Sequence, residues 1–89
     1  MNFTKSQVNT IRHLADTRKL QVKIYKYKGI LSVELHENTS YSLADQFNLI
    51  IADNVKTLKE CKQIAANFLN WLDQYSSYGY NIRTKYVDL

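Results

Sequence analysis

The chain has 89 residues, in which 12 lysines and arginines outnumber 8 aspartates and glutamates to give a formal net charge of +4. This length suits one domain over residues 1–89 with one hydrophobic core. The two glycines exclude glycine-rich nucleotide-binding loops, and no apolar run approaches the roughly 20 residues that cross a bilayer.

The first predicted element is a helix over residues 4–15. Thr4 and Gln7 have the spacing of a capping box, in which the threonine hydroxyl accepts from the Gln7 N–H and the glutamine side chain bonds back. Ile11 and Leu14 then lie on one apolar stripe at helical spacing. We expect this stripe to pack on a sheet.

A β-hairpin follows, with strands predicted over residues 20–27 and 30–36. When paired positions sum to 57, Ile24 faces Val33 and the shared face is apolar. A shift by one residue would place Ser32 opposite Ile24 and destroy this match. On the other face, Lys23 would lie opposite Glu34 and the tyrosines would point outward.

Residues 41–52 carry apolar side chains at alternate positions. This alternation predicts a third strand near 47–52, with a short strand at 41–44 as an option. A helix across the same span is the competing interpretation.

The second helix is predicted to run from Thr57 to about residue 75. Thr57 and Glu60 form another capping box, and Gly79 is a candidate left-handed cap beyond the end. Apolar residues recur at helical spacing in a stripe formed by Leu58, Cys61, Ala65, Phe68, Leu72 and Tyr75. This helix therefore has to bury one side.

Residues 80–89 alternate again, which suits either an edge strand or an extended arm. The predicted order is α-β-β-β-α with a possible C-terminal strand. Strands grouped between two helices favour an α+β fold, a small antiparallel sheet of three to four strands packed against two helices.

Few side chains suit catalysis or metal binding. His13, His36 and Cys61 are far apart in the sequence and lack the short paired spacing of zinc sites. Cys61 lies on the apolar stripe, so we expect a buried and unreactive thiol. We predict no catalytic residue, no metal and no cofactor, and an enzyme ranks third among the functions. A single cysteine also favours a reducing compartment, the cytoplasm.

Charge is unevenly distributed, because residues 1–29 carry seven basic side chains and one acidic one, a net +6. Our first hypothesis is a protein-binding domain that uses Lys23, Tyr25, Lys26, Tyr27, Lys28, Tyr78, Tyr80 and Arg83. The second is a nucleic-acid-binding domain that uses Arg12, Arg18, Lys19, Lys23, Tyr25 and Tyr27. The tyrosines can also occupy strand positions simply because of their β propensity.

Residues 49–62 read as an apolar strand, a turn and a Thr-Leu-Lys-Glu helix start, with Cys61 where alanine is usual. This segment resembles the strand–turn–capped-helix ending of many short accessory proteins of phages and mobile elements. The resemblance implies a modulator or inhibitor, for example of a defence system. The expected partner is a host protein or nucleoprotein complex, with nucleic acid as the alternative and no membrane. We expect a monomer or a homodimer.

Overall fold

The computed structural model describes residues 2–38, 46–79 and 82–89. The elements in chain order are α1 (Lys5–Asp16), β1 (Leu20–Tyr27), β2 (Ile30–Glu37), β3 (Asn48–Val55), α2 (Leu58–Leu72) and β4 (Thr84–Asp88). The four strands form one sheet in the order β3-β2-β1-β4. The predicted α+β fold and its C-terminal strand are confirmed.

The last strand changes the character of the sheet. β1, β2 and β3 pair antiparallel, whereas β4 lies parallel to β1. The reason is geometric: β3 runs in the same direction as β1, and α2 then carries the chain back to the end of the sheet where β1 begins. The sheet is therefore mixed, where the sequence predicted a wholly antiparallel one.

The start of α1 follows its predicted capping box. The Thr4 hydroxyl accepts from the Gln7 N–H at 3.1 Å, and the Gln7 side-chain oxygen accepts from the Thr4 N–H at 2.9 Å. The buried side chains of this helix are Ile11, Leu14 and Ala15. They fall on the predicted stripe, so the helix is fixed by its cap and by its apolar side.

The hairpin has the predicted register, with Ile24 opposite Val33. Both residues of its turn have positive φ, 52° at Lys28 and 78° at Gly29. Such angles suit the right-handed twist of the flanking strands. Glycine adopts them without cost, whereas Lys28 is strained by its Cβ.

We expect Lys28→Asn to raise the free energy of unfolding by about 0.5 kcal/mol, because asparagine tolerates left-handed backbone better than lysine does. Urea denaturation measures the change. Lys26→Asn is the matched control, since Lys26 lies in β1 and not in the turn. An equal gain of stability in both variants, or a loss of stability in Lys28→Asn, would contradict this account of the turn.

β3 is longer than the predicted strand and is irregular. Its pairing with β2 shifts register between Leu31 and Val33 and again between Val33 and Glu34. The extra residues fall in β3, and Asn54 there has a φ of 52°. The optional strand at 41–44 lies outside the described residues.

The core lies between the helices and one side of the sheet. Its fully buried members include Phe68, Ile11, Ile24, Leu35, Leu72, Val22, Val33 and Cys61. The Phe3 ring closes this layer, with its centroid 6.1 Å from that of Phe68 and 5.0 Å from that of Trp71. In the part of the chain that the structure describes, neither helix is long and apolar enough to cross a bilayer.

The end of α2 differs from the sequence prediction. The helix stops at Leu72, and Gly79 does not have the positive φ of a left-handed cap. Asp73 is the C-cap, and Ser76 holds the turn that follows it: its N–H donates to the Leu72 carbonyl at 3.0 Å, and its hydroxyl donates to Asp16 at 2.6 Å. At the other end, the Thr57 hydroxyl accepts from a backbone N–H, which is half of the predicted capping box.

Candidate functional site

The side of the sheet away from the helices, here called the open face, is formed by the residues that alternate with the core positions. Its members include Gln21, Lys23, Tyr25, Tyr27, Ile30, Ser32, Glu34, His36, Asn48, Ile50, Lys85 and Val87. None of the described helices or strands packs over this face. The predicted outward direction of the tyrosines is therefore confirmed for Tyr25 and Tyr27.

Apolar side chains are exposed on the open face beside the hairpin turn. Tyr27 and Ile30 pair across β1 and β2 and are 55% and 50% exposed. Leu89 is 69% exposed and lines a shallow groove together with Tyr25, Tyr27 and Ile30. We call these four residues the apolar patch. Exposed side chains of this type, clustered on one surface, are typical of protein-binding sites.

A polar cluster borders the apolar patch. The Glu34 carboxylate accepts from the Ser32 hydroxyl at 2.9 Å, and its other oxygen lies 3.0 Å from His36 Nε2. The Tyr25 ring packs against the His36 ring, with centroids 5.5 Å apart. Lys23 lies opposite Glu34 as predicted. Within the described residues, however, the basic side chain within 4 Å of the Glu34 carboxylate is that of His36, and no salt bridge joins Glu34 to Lys23.

A second surface lies where β1 and β4 begin. It is a groove with a volume of about 490 Å³, and we call it the basic groove. The residues that define it are Arg18, Gln21, Tyr78, Arg83 and Lys85. The Arg18 guanidinium lies over the Tyr78 ring, 4.9 Å from its centroid.

The structure divides the predicted protein-binding residues between these two surfaces. Lys23, Tyr25 and Tyr27 belong to the open face, whereas Tyr78 and Arg83 belong to the basic groove. The apolar patch of the open face and the basic groove lie at opposite ends of β1, about 20 Å apart along an eight-residue strand, while Lys85 borders both the open face and the groove. One compact site therefore does not contain them all.

Three further predicted residues need separate mention. Lys26 lies on the helix side of the sheet, because it pairs with the buried Leu31, and although it is exposed it is not part of the open face. Lys28 lies in the turn, with Nζ 5.4 Å from the Tyr27 ring centroid. Tyr80 lies outside the described residues.

The nucleic-acid set is dispersed as well. Arg12 is exposed on α1, and Lys19 lies between α1 and β1. Of the two arginines in this set, Arg18 lines the basic groove and Arg12 does not. On the open face, Glu34 and Asp53 border the shallow groove that Tyr25 and Tyr27 line, which is not the basic groove. The proposed basic face is thus interrupted by carboxylates.

Sequence reasoning missed Ile30, Leu89 and Lys85 as surface residues. The hairpin register already placed Ile30 opposite Tyr27, and this was the signal for it. Lys85 becomes important because β4 lies beside β1, where Lys85 pairs with Lys23. No pattern in the sequence predicts that Lys85 lies beside Lys23.

The predicted burial of Cys61 is confirmed, since its side chain is fully buried in the core. Burial, with a smaller contribution from the Glu60 carboxylate, raises the pKa of the Cys61 thiol above its usual range. Within residues 2–38, 46–79 and 82–89, no three histidine, cysteine or acidic side chains are grouped so as to hold a metal ion.

Comparison of this sequence and fold with family models, curated proteins and solved structures finds no similar protein. No family model matches, and neither a curated protein nor a solved structure is significantly similar.

Proposed function

We propose that this chain is a non-catalytic binding protein whose open face covers a site on a larger protein or nucleoprotein complex. The observation that carries the proposal is the apolar patch. Tyr27, Ile30 and Leu89 are each at least half exposed on a sheet face that no described element covers. Transferring such side chains from water to a partner surface favours association.

The size of the molecule is compatible with this role. A standard interface takes about 800 Å² from each partner, and the accessible surface of this chain is 6043 Å². One face is therefore enough. Lys23 and Lys28 flank the tyrosines, and Glu34 and Asp53 border the same groove, so we expect the partner surface to be apolar at its centre and to carry charges of both signs at its rim. The resemblance to accessory proteins of phages and mobile elements would make this partner a host protein.

The test compares two matched double variants. Tyr27→Ala with Ile30→Ala truncates the apolar patch. Tyr75→Ala with Leu58→Ala removes a tyrosine just beyond the end of α2 and an aliphatic side chain at its start, where they are 38% and 36% exposed. We expect the first pair to weaken binding of the partner at least about 30-fold and the second to leave it nearly unchanged.

The partner is first identified by affinity capture with quantitative mass spectrometry, and its affinity for each purified variant is then titrated. Circular dichroism checks that both variants remain folded, which we expect because substitutions of exposed side chains usually change stability little. Retention of every specific partner by the Tyr27–Ile30 variant would overturn the assignment of the patch.

Nucleic-acid binding is the second candidate, because Lys23 and Lys85 are cross-strand neighbours and the basic groove lies at the same end of β4. Such binding must weaken steeply with salt through counterion release. Fluorescence anisotropy with DNA and RNA at low and high salt measures it. Strong, salt-sensitive binding that survives truncation of the apolar patch would favour this candidate over the first.

A further inference from the structure

The basic groove differs in charge from the rest of the surface. Three cationic side chains line it, those of Arg18, Arg83 and Lys85, and its described lining contains no aspartate or glutamate. The carboxylate of the nearby Asp16 accepts a hydrogen bond from the Ser76 hydroxyl at 2.6 Å. An anion in the groove would therefore meet an excess of positive charge.

The backbone brings these cations together. β4 starts beside β1, with Thr84 paired to Val22 and Lys85 paired to Lys23, and this pairing places Arg83 and Lys85 beside the first half of β1. Arg18 follows α1 with a φ of 61°, and its N–H donates to the Ala15 carbonyl at 3.0 Å. The groove thus has one wall from β4 and another from the end of α1.

Arg18 is held in place before any ligand arrives. Its guanidinium stacks on the Tyr78 ring, and the Tyr78 N–H donates to the Ser76 hydroxyl oxygen at 3.2 Å. A cation fixed by such contacts loses little side-chain freedom when an anion binds. Less of the electrostatic attraction is therefore offset by lost conformational entropy, and the anion binds more tightly.

The shape of the groove indicates a ligand larger than a simple ion. The partly exposed Ile82 and the nearly buried Leu20, 6% exposed, supply apolar lining, and Gln21 supplies an amide. The volume of about 490 Å³ falls in the range of small-molecule sites, about 300–1,000 Å³. Arginine binds phosphate with two parallel hydrogen bonds, and the apolar lining can hold an organic group attached to that phosphate.

We infer that the basic groove binds a phosphate ester with a planar or apolar body, namely a nucleotide. The phosphate contacts Arg83, Lys85 and Arg18, and the body lies on the apolar lining. The nucleotide can be free or the phosphorylated end of a nucleic-acid strand, because the groove contacts the same groups in both. This site is separate from the apolar patch and does not depend on the proposed protein partner.

The experiment titrates the full chain with inorganic phosphate, adenosine, AMP and a 5′-phosphorylated oligonucleotide, and follows binding by NMR chemical shifts. We expect AMP to bind more tightly than either inorganic phosphate or adenosine. Arg83→Gln should weaken AMP binding about tenfold or more, the effect of losing a charged hydrogen bond. Arg12→Gln, which makes the same charge change on α1 outside the groove, should have little effect.

The oligonucleotide identifies the source of the ligand. Tighter binding than AMP, lost when its 5′-phosphate is removed, assigns the groove to a strand end, whereas weaker binding assigns it to a free nucleotide. The inference is overturned by the absence of saturable AMP binding, by equal effects of Arg83→Gln and Arg12→Gln, or by adenosine binding as tightly as AMP.

Discussion

Replacing Phe68 by alanine should lower the free energy of unfolding by about 3–5 kcal/mol. Phe68 is 0% exposed and is the largest of the fully buried side chains. Its ring packs against those of Phe3 and Trp71, with centroids 6.1 Å and 5.8 Å away. Truncation removes this apolar contact and leaves a cavity beneath α2 that the neighbouring rings fill only in part.

This loss is a large part of the total free energy of unfolding, because that total is only about 5–15 kcal/mol for a domain of this kind. Urea denaturation followed by the fluorescence of Trp71, the single tryptophan, measures it. Asn70→Ala is the control, since Asn70 is exposed on the same helix. A loss below about 1 kcal/mol would show that Phe68 is not a central core residue.

The Cys61 thiol should react with a disulfide reagent at least about a thousandfold more slowly in the folded protein than in urea, because reaction requires the protein to open. Two features of the fold cause this protection. The side chain is fully buried, and the raised pKa of the thiol keeps it protonated, so the nucleophilic thiolate is scarce.

The absorbance of the thiolate that the disulfide reagent releases measures the rate of the reaction. Phe68→Ala supplies an internal comparison, since a less stable core opens more often and its Cys61 should react faster. Rapid labelling of the folded wild-type chain would contradict the burial of Cys61. It would also reopen the question of a reactive cysteine.

Local patterns predicted much of this fold from the sequence. The Thr4–Gln7 capping box and the pairing of Ile24 with Val33 depend on residues that are close together in the chain. In each case one arrangement satisfies both the hydrogen bonds and the burial of apolar side chains. The end of α2 was harder, because Ser76 donates to Asp16, sixty positions earlier in the sequence.

The surfaces were predictable only in part. Tyr25 and Tyr27 follow from alternation along β1, which is a local property. Arg18 and Arg83 line the same groove, and they do so only because β4 adds beside β1 in the parallel direction. Sequence alternation left residues 80–89 as either a strand or an arm, so it could not place Arg83 next to Arg18.

The irregular pairing of β3 has a consequence for how this protein avoids aggregating. β3 is one border of the sheet, and its two register shifts disturb the even spacing of its outward N–H and C=O groups. A strand from another molecule needs that even spacing to dock in register. The β3 border therefore resists the edge-to-edge growth that leads to fibrils.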